Sequence, residues 1–402
     1  MDAFVFDGLR SPFGRHGGVL SRLRPDDLGA AIVRELVSRN GLAGGEIEDL
    51  VFGNTNQAGE DSRNIARHVA LLAGLSTDVP GITVNRLCGS GLAALADASR
   101  CVQAGQGDLF VAGGVESMSR APIVLSRATG AFSRGQVMED TTLGSRFPNP
   151  RITSEFGNPS MAETADNVAG DLGISREDSD AFALASQTKY EAAKQRGFFD
   201  DEIHAVDVPA VHRKAPAERV GDDEHPRPGS SLEKLSTLRA LNPDGVVTAG
   251  NASGINDGAA ALLVGHADMA DKLQRAPRAR VVSAAVAGVE PRVMGLGPVP
   301  ASRKALERAG LALKDMDVIE INEAFAPQVL GCLKLLEIGF DDDRVNPNGG
   351  AIAVGHPLGA SGARLALTAM RQLEAINGRY ALVSMCIGVG QGIAVVIERT
   401  PA

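Results

Sequence analysis

The sequence predicts an α/β protein built from two similar halves, and three observations carry that prediction. Short apolar runs of strand character alternate with longer runs of helical spacing. The C-terminal part repeats the order of the N-terminal part, with some of the same residues at nearly the same spacing. Composition agrees: 44% hydrophobic and 22% charged residues describe a soluble globular chain, and 402 residues favour two or three domains.

Taken in order, residues 3 to 6 read as a strand and Arg10-Ser11-Pro12-Phe13-Gly14 as a turn. Pro25-Asp26-Asp27-Leu28 opens a helix, because Leu28, Ile32, Val33, Leu36 and Val37 keep helical spacing, and Asn40-Gly41 stops it. Residues 47 to 52 alternate as a strand ending at Gly53-Asn54, and a helix follows from Arg63 or Asn64 to Leu72. Residues 82 to 85 form a third strand, which breaks into Arg86-Leu87-Cys88-Gly89-Ser90-Gly91 and an alanine- and leucine-rich helix. Residues 109 to 112 form a fourth strand. Strands alternating with helices predict a largely parallel sheet covered on both faces.

The repeat is seen by alignment of the halves. Asp49-Leu50-Val51-Phe52-Gly53-Asn54 matches Asp317-Val318-Ile319-Glu320-Ile321-Asn322, and each follows a helix ending in Gly-Leu. Gly89-Ser90-Gly91 matches Ala360-Ser361-Gly362, each before an apolar helix that leads through a glycine, Gly107 or Gly378, into a strand. Between the halves the periodicity weakens. Helices are expected at 161 to 170 and 178 to 194, and the remainder, including 213 to 229, reads as loop of the kind that shapes a ligand site. The expected division is a first core of 1–117 with 248–270, a loop domain of 118–247 and a second core of 271–402.

A net charge of -9 argues against nucleic acid or an anionic membrane as partner. No apolar run is long enough to span a bilayer, and the first residues resemble neither a signal nor a transit peptide. Four scattered cysteines, without a Cys-x-x-Cys pair, suit neither a disulfide scaffold nor zinc, so a reducing cytoplasm and no metal are expected.

Reactive side chains collect where strands end. Cys88 stands at or near a helix N-terminus, whose N–H groups and positive dipole end favour a thiolate. Asn322 follows a strand, His356 lies among glycines and alanines with Pro357 restricting its backbone, and Cys386 ends a strand at Gly388. Each has a structural reading as well: a turn-capping histidine, a core cysteine, a loop-holding asparagine. A thiol with a histidine base is a nucleophilic pairing, and the sum of the sites favours chemistry. The glycines from 388 to 392 lack the helix and acidic residue of a dinucleotide loop, and Cys101 and Cys332 read as core.

These stretches together resemble the thiolases, nearly end to end. The resemblance rests on Asn85-Arg86-Leu87-Cys88-Gly89-Ser90-Gly91, Gly250-Asn251-Ala252-Ser253-Gly254, Asn322-Glu323-Ala324-Phe325, Gly355-His356-Pro357 and Cys386-Ile387-Gly388. Asn56-Gln57-Ala58-Gly59-Glu60-Asp61, Asp223-Glu224-His225-Pro226-Arg227, Arg344-Val345-Asn346-Pro347-Asn348 and 388 to 392 are most similar to the β-ketoadipyl-CoA thiolase branch.

The resemblance implies two five-stranded βαβαβαββ halves in a layered α/β/α/β/α sandwich, with the loop domain over coenzyme A. It implies Cys88 as nucleophile, His356 as base and Cys386 as general acid, with Cys88 and Gly388 N–H groups as one set of oxyanion donors. His356 and a water held by Asn322 would supply the other. Ser253, Met161, Phe325 and Arg227 would contact CoA, a substrate, and no cofactor is implied. Ser160, where acetoacetyl-CoA thiolases usually carry histidine, favours a longer acyl chain, and Arg134, Arg146 and Arg151 are candidates for a distal carboxylate. The implied partners are acyl-CoA and CoA, and the implied assembly a homotetramer, a dimer of dimers. An acetoacetyl-CoA thiolase and a non-catalytic acyl-CoA or lipid carrier remain the alternatives. Cys386 speaks against a decarboxylating ketoacyl synthase.

Overall fold

The computed structural model describes residues 1–210, 212 and 216–401. The first half runs β1 (Phe4–Arg10), β2 (Gly14–Arg15), α1 (Pro25–Arg39), β3 (Asp49–Gly53), α2 (Ile65–Ala73), β4 (Gly81–Val84), α3 (Ser90–Gln103) and β5 (Leu109–Ser117). Pro25 takes the first turn of α1, where its missing N–H costs nothing, and Asp26 and Asp27 complement the positive helix end. Gly74 closes α2 in the left-handed region at φ 86°.

The insert holds the hairpins β6 (Ile123–Leu125) with β7 (Met138–Asp140) and β8 (Val206–Val208) with β9 (Glu218–Val220). Its helices are α4 (Pro150–Phe156), α5 (Met161–Leu172), α6 (Arg176–Gln195) and α7 (Leu232–Ser236). Ser160 caps α5 in a reciprocal capping box with Glu163. β9 lies in the stretch expected to be loop; two short strands that stabilise each other only as a pair leave little periodicity to read. Residues 213 to 215 of that stretch lie outside the described residues.

The chain continues through β10 (Asn256–Gly265), α8 (Met269–Leu273), β11 (Ala279–Gly288), α9 (Pro298–Ala309), β12 (Val318–Ile321) and α10 (Ala326–Leu335). α11 (Ala351–Val354), α12 (Leu358–Ile376), β13 (Tyr380–Ile387) and β14 (Gln391–Arg399) complete it.

The main strands form one path, β12-β13-β14-β11-β1-β10-β5-β3-β4, with β10 between β1 and β5. The halves join where Phe4 and Val5 of β1 pair with Arg280 and Ala279 of β11. The sheet is mixed, not largely parallel. Only β3–β4, β3–β5 and β12–β13 are parallel, because the last strand of each half turns back beside the first. The second half's counterpart of β4 is reduced to a single parallel bridge, Ile319 to Val345.

Alternation along the strands produces the layers. In β13, Ala381, Val383, Met385 and Ile387 enter a central core with α3 and α12, while Leu382 faces the outer core under α9 and α10. Phe110 and Ala112 of β5 face the same central core, and Leu109 and Val111 face α1 and α2. This is a five-layer α/β/α/β/α order. The two glycines matched by the repeat meet here. A Cβ on Gly362 of α12 would lie 2.2 Å from the backbone nitrogen of Leu92 in α3, and one on Gly91 would lie 2.6 Å from the carbonyl oxygen of Gly359. Neither backbone can withdraw without moving a helix. Gly362→Ala is therefore expected to destabilise the fold by about 3 kcal/mol, read as a fall in the thermal midpoint.

Candidate active site

Cys88 lies two residues before α3, in a loop pinned at both ends. Asn85 Oδ1 accepts from Leu87 N at 3.0 Å, and Ser90 Oγ accepts from Arg86 N at 2.9 Å and donates to Leu87 O at 2.6 Å. These bonds hold Leu87 at φ 47°, a conformation that costs a branched residue about 1–3 kcal/mol and projects the next side chain off the helix axis. The backbone N–H groups of Gly388 and of Cys88 itself lie toward the Cys88 sulfur and favour its ionised form. Across from it Val389, at φ 63°, and Gly390, at φ 81°, turn the chain sharply from β13 to β14 behind Gly388.

Burial pushes the Cys88 thiol up to about 11, outweighing those two N–H groups, and the negative charge of Glu116 adds to the rise. The resting group is a thiol. Desolvation exceeds what the backbone donors return, so a base is needed to raise the thiolate. Cys386 is buried at the end of β13, and burial followed by the proximity of Cys88 raises its thiol well above the usual range.

His356 and Asn322 meet from two elements. The end of β12 is tied to β13 by Asn322 N donating to Ser384 O at 3.0 Å, which sets Asn322 beside the segment carrying Cys386. His356 N donates to Asn256 Oδ1 at 2.9 Å, fixing the loop before α12. Ser361 Oγ donates to Pro357 O at 3.0 Å, so its oxygen accepts from His356 Nδ1 at 2.6 Å. That leaves the lone pair on Nε2, toward which Asn322 Nδ2 donates at 3.4 Å. Burial, with a smaller contribution from the positive charge of Arg364, lowers His356 to about 3, so the ring is neutral. Asn322 Oδ1 is buried without a protein partner among the described residues, as an atom available to hold a water.

Of the residues expected to contact CoA, Met161 and Phe325 pack against Cys386, Met294 and Ala324, and Ser253 N donates to Ala324 O at 2.9 Å. Arg227 is apart and exposed, its N–H donating to Gln187 Oε1 at 2.9 Å. Cys332 is core, as expected, whereas Cys101 keeps partial exposure.

Sequence reading passed over Glu116. Its carboxylate is buried between the halves, accepting from Thr55 N at 3.0 Å, Asn56 N at 3.2 Å and Gly359 N at 3.0 Å, and burial raises it to about 7. A lone acid in the apolar strand Gly113-Gly114-Val115-Glu116 was the available signal. Ser361 was legible as a repeat position, but not as the partner that selects the His356 tautomer.

A layered α/β/α/β/α fold with two thiols and a neutral histidine near its strand ends suits acyl-transfer chemistry. The chain belongs to the thiolase family: the thiolase N-terminal domain matches residues 3–268 and the thiolase C-terminal domain residues 275–399. It is 58% identical over 400 residues to a β-ketoadipyl-CoA thiolase of Escherichia coli, covering 99% of each chain. It is 57% identical over 400 residues to the 3-oxoadipyl-CoA/3-oxo-5,6-dehydrosuberyl-CoA thiolase of Escherichia coli strain K12, again over 99% of each. The crystal structure of the Bacillus anthracis acetyl-CoA acetyltransferase is similar at a TM-score of 0.92 and 37% identity, covering 99% of both chains.

Proposed function

We propose that this thiolase cleaves 3-oxoadipyl-CoA with CoA to succinyl-CoA and acetyl-CoA, carrying the succinyl group on Cys88. The observation that carries the acid–base assignment is the directed Nε2 lone pair of His356, set by its bond to Ser361, together with two thiols close enough to act on each other. His356 Nε2 takes the Cys88 proton, and the thiolate attacks the 3-keto carbon. The bond between C2 and C3 breaks, and the acetyl-CoA enolate takes a proton from Cys386. The resulting Cys386 thiolate deprotonates the incoming CoA thiol, the CoA sulfur takes the succinyl group as the Cys88 thioester breaks, and Cys88 recovers its proton from His356. Gly388 and Cys88 N–H groups serve one oxyanion, and His356 with an Asn322-held water the other.

Met161, Phe325 and Ser253 form the wall along which pantetheine lies, and Arg227, exposed at the rim, meets the nucleotide phosphates by charge. CoA enters as substrate, and the proposed reaction uses no cofactor or metal. The working division into a 1–117 and 248–270 core, a 118–247 loop domain and a 271–402 core stands with this reading. The acyl chain is taken from the names of the two Escherichia coli relatives, both of which specify dicarboxylic acyl groups.

A cytoplasmic homotetramer belongs to the same proposal. The β6–β7 hairpin exposes Ile123, Leu125, Met138 and Phe132, the last 99% accessible, and the edge strand β4 exposes Ile82. Such surfaces favour association. Four free cysteines suit a reducing compartment. No helix among the described residues is long and apolar enough to cross a membrane.

The test is steady-state thiolysis at saturating CoA. The kcat/KM for 3-oxoadipyl-CoA is expected to exceed that for acetoacetyl-CoA by about ten-fold or more, equivalent to about 1.4 kcal/mol of discrimination. Faster cleavage of acetoacetyl-CoA would return the acetoacetyl-CoA thiolase reading.

A further inference from the structure

We propose that Glu116 is a positioning residue whose carboxylate sets the His356 loop against the Cys88 loop across the junction of the two halves. This rests on the assignment of Cys88 and His356 and adds to it what holds them in register. α12 begins without a cap of its own: Pro357 stands at the N-cap position and supplies no side-chain bond. Glu116, from β5 of the other half, takes that place, its Oε2 accepting from Gly359 N at 3.0 Å. The same first turn carries Ser361, whose oxygen faces His356 Nδ1. The helix start has little freedom to shift, since a Cβ on Gly359 would lie 2.6 Å from Val115 O and 2.7 Å from Gly53 O.

The same Oε2 accepts from Thr55 N at 3.0 Å, and Thr55 O in turn accepts from Asn85 Nδ2, in the Cys88 loop, at 3.1 Å. Oε1 accepts from Asn56 N at 3.2 Å and from Asn54 Nδ2 at 3.3 Å, which fixes the carboxylate plane. One oxygen thus joins the turn that orients the base to the segment that holds the nucleophile loop. Asn256 also fixes His356, but to Gly14, a different part of the first half. The charge of Glu116 does not account for its place, because it raises the Cys88 thiol and so works against the attacking thiolate. What this buried carboxylate contributes to turnover is its bonds, and above all the shared oxygen.

The experiment separates the bonds from the charge in the full-length chain, by steady-state thiolysis of 3-oxoadipyl-CoA and of acetoacetyl-CoA. Glu116→Asp keeps the charge but, one methylene shorter, cannot reach Thr55 N and Gly359 N together. Glu116→Gln loses the charge but keeps an oxygen that can accept from both. In Glu116→Asp, kcat is expected to fall by about 100-fold on both substrates, with KM for CoA within about three-fold of wild type. Glu116→Gln should stay within about ten-fold of wild type. Where Glu116→Asp does not fold, Asn85→Asp cuts the same run at its exposed end, keeping the bond from Leu87 N and losing the one to Thr55 O. It should lower kcat by about ten-fold with KM held, and an unchanged kcat there overturns the proposal. So does a near-wild-type kcat in Glu116→Asp, a loss that falls on KM instead, or a Glu116→Gln as impaired as Glu116→Asp. Full activity in Cys88→Ser overturns it together with the assignment on which it rests.

Discussion

Cys88→Ser is expected to lower thiolysis by about 10,000-fold or more, the loss typical when a covalent nucleophile is removed. Serine is nearly isosteric, so the pinned loop from Asn85 to Ser90 and the packing of α3 survive. The loss falls on chemistry, because a hydroxyl is a much weaker acid than the thiol and no strong base faces it. Two measurements check this: the steady-state rate, and the mass of the intact chain after exposure to substrate without CoA. Wild type should gain one acyl group and the variant none. A variant within 100-fold of wild type, or one that still acquires the acyl mass, would remove Cys88 from the role of carrier.

Cys386→Ala should cost about 1,000-fold in kcat, within the range general acid–base catalysis supplies. The physical reason is the burial that keeps Cys386 protonated: alanine has no proton to give the departing enolate, and the apolar wall of Met294, Ala324, Met161 and Phe325 offers no substitute. The small cavity left by one sulfur barely affects folding. Alkylation of Cys88 by iodoacetamide before substrate is added should proceed at the wild-type rate, which separates lost acid catalysis from a disturbed nucleophile. Loss below about ten-fold, or Cys88 becoming inert to the reagent, would sink the assignment.

Much of this architecture was legible because it is written in local pattern. The helix over Leu28, Ile32, Val33, Leu36 and Val37 spans Pro25–Arg39, and the strand after Gly107 continues through Ser117. The matched Gly91 and Gly362 occupy the contact where α3 and α12 touch. The parallel sheet was misread because pairing direction depends on how each half returns its last strand, which no local period records. Thr141, Asn56 and Glu116 lie far apart in the chain, and nothing in their immediate neighbours announces that they touch.

The sequence by itself determined the duplicated α/β plan and the residue types at the strand ends, because periodicity, glycine placement and repeat order are properties of neighbours along the chain. Only the tertiary structure decided what those residues are as acids and bases. Burial makes Cys88 a resting thiol and Cys386 a stronger-held one, and the Ser361 bond selects the His356 tautomer. Protonation and charge pairing depend on what surrounds a group from every side, and those surroundings exist only once both halves have packed.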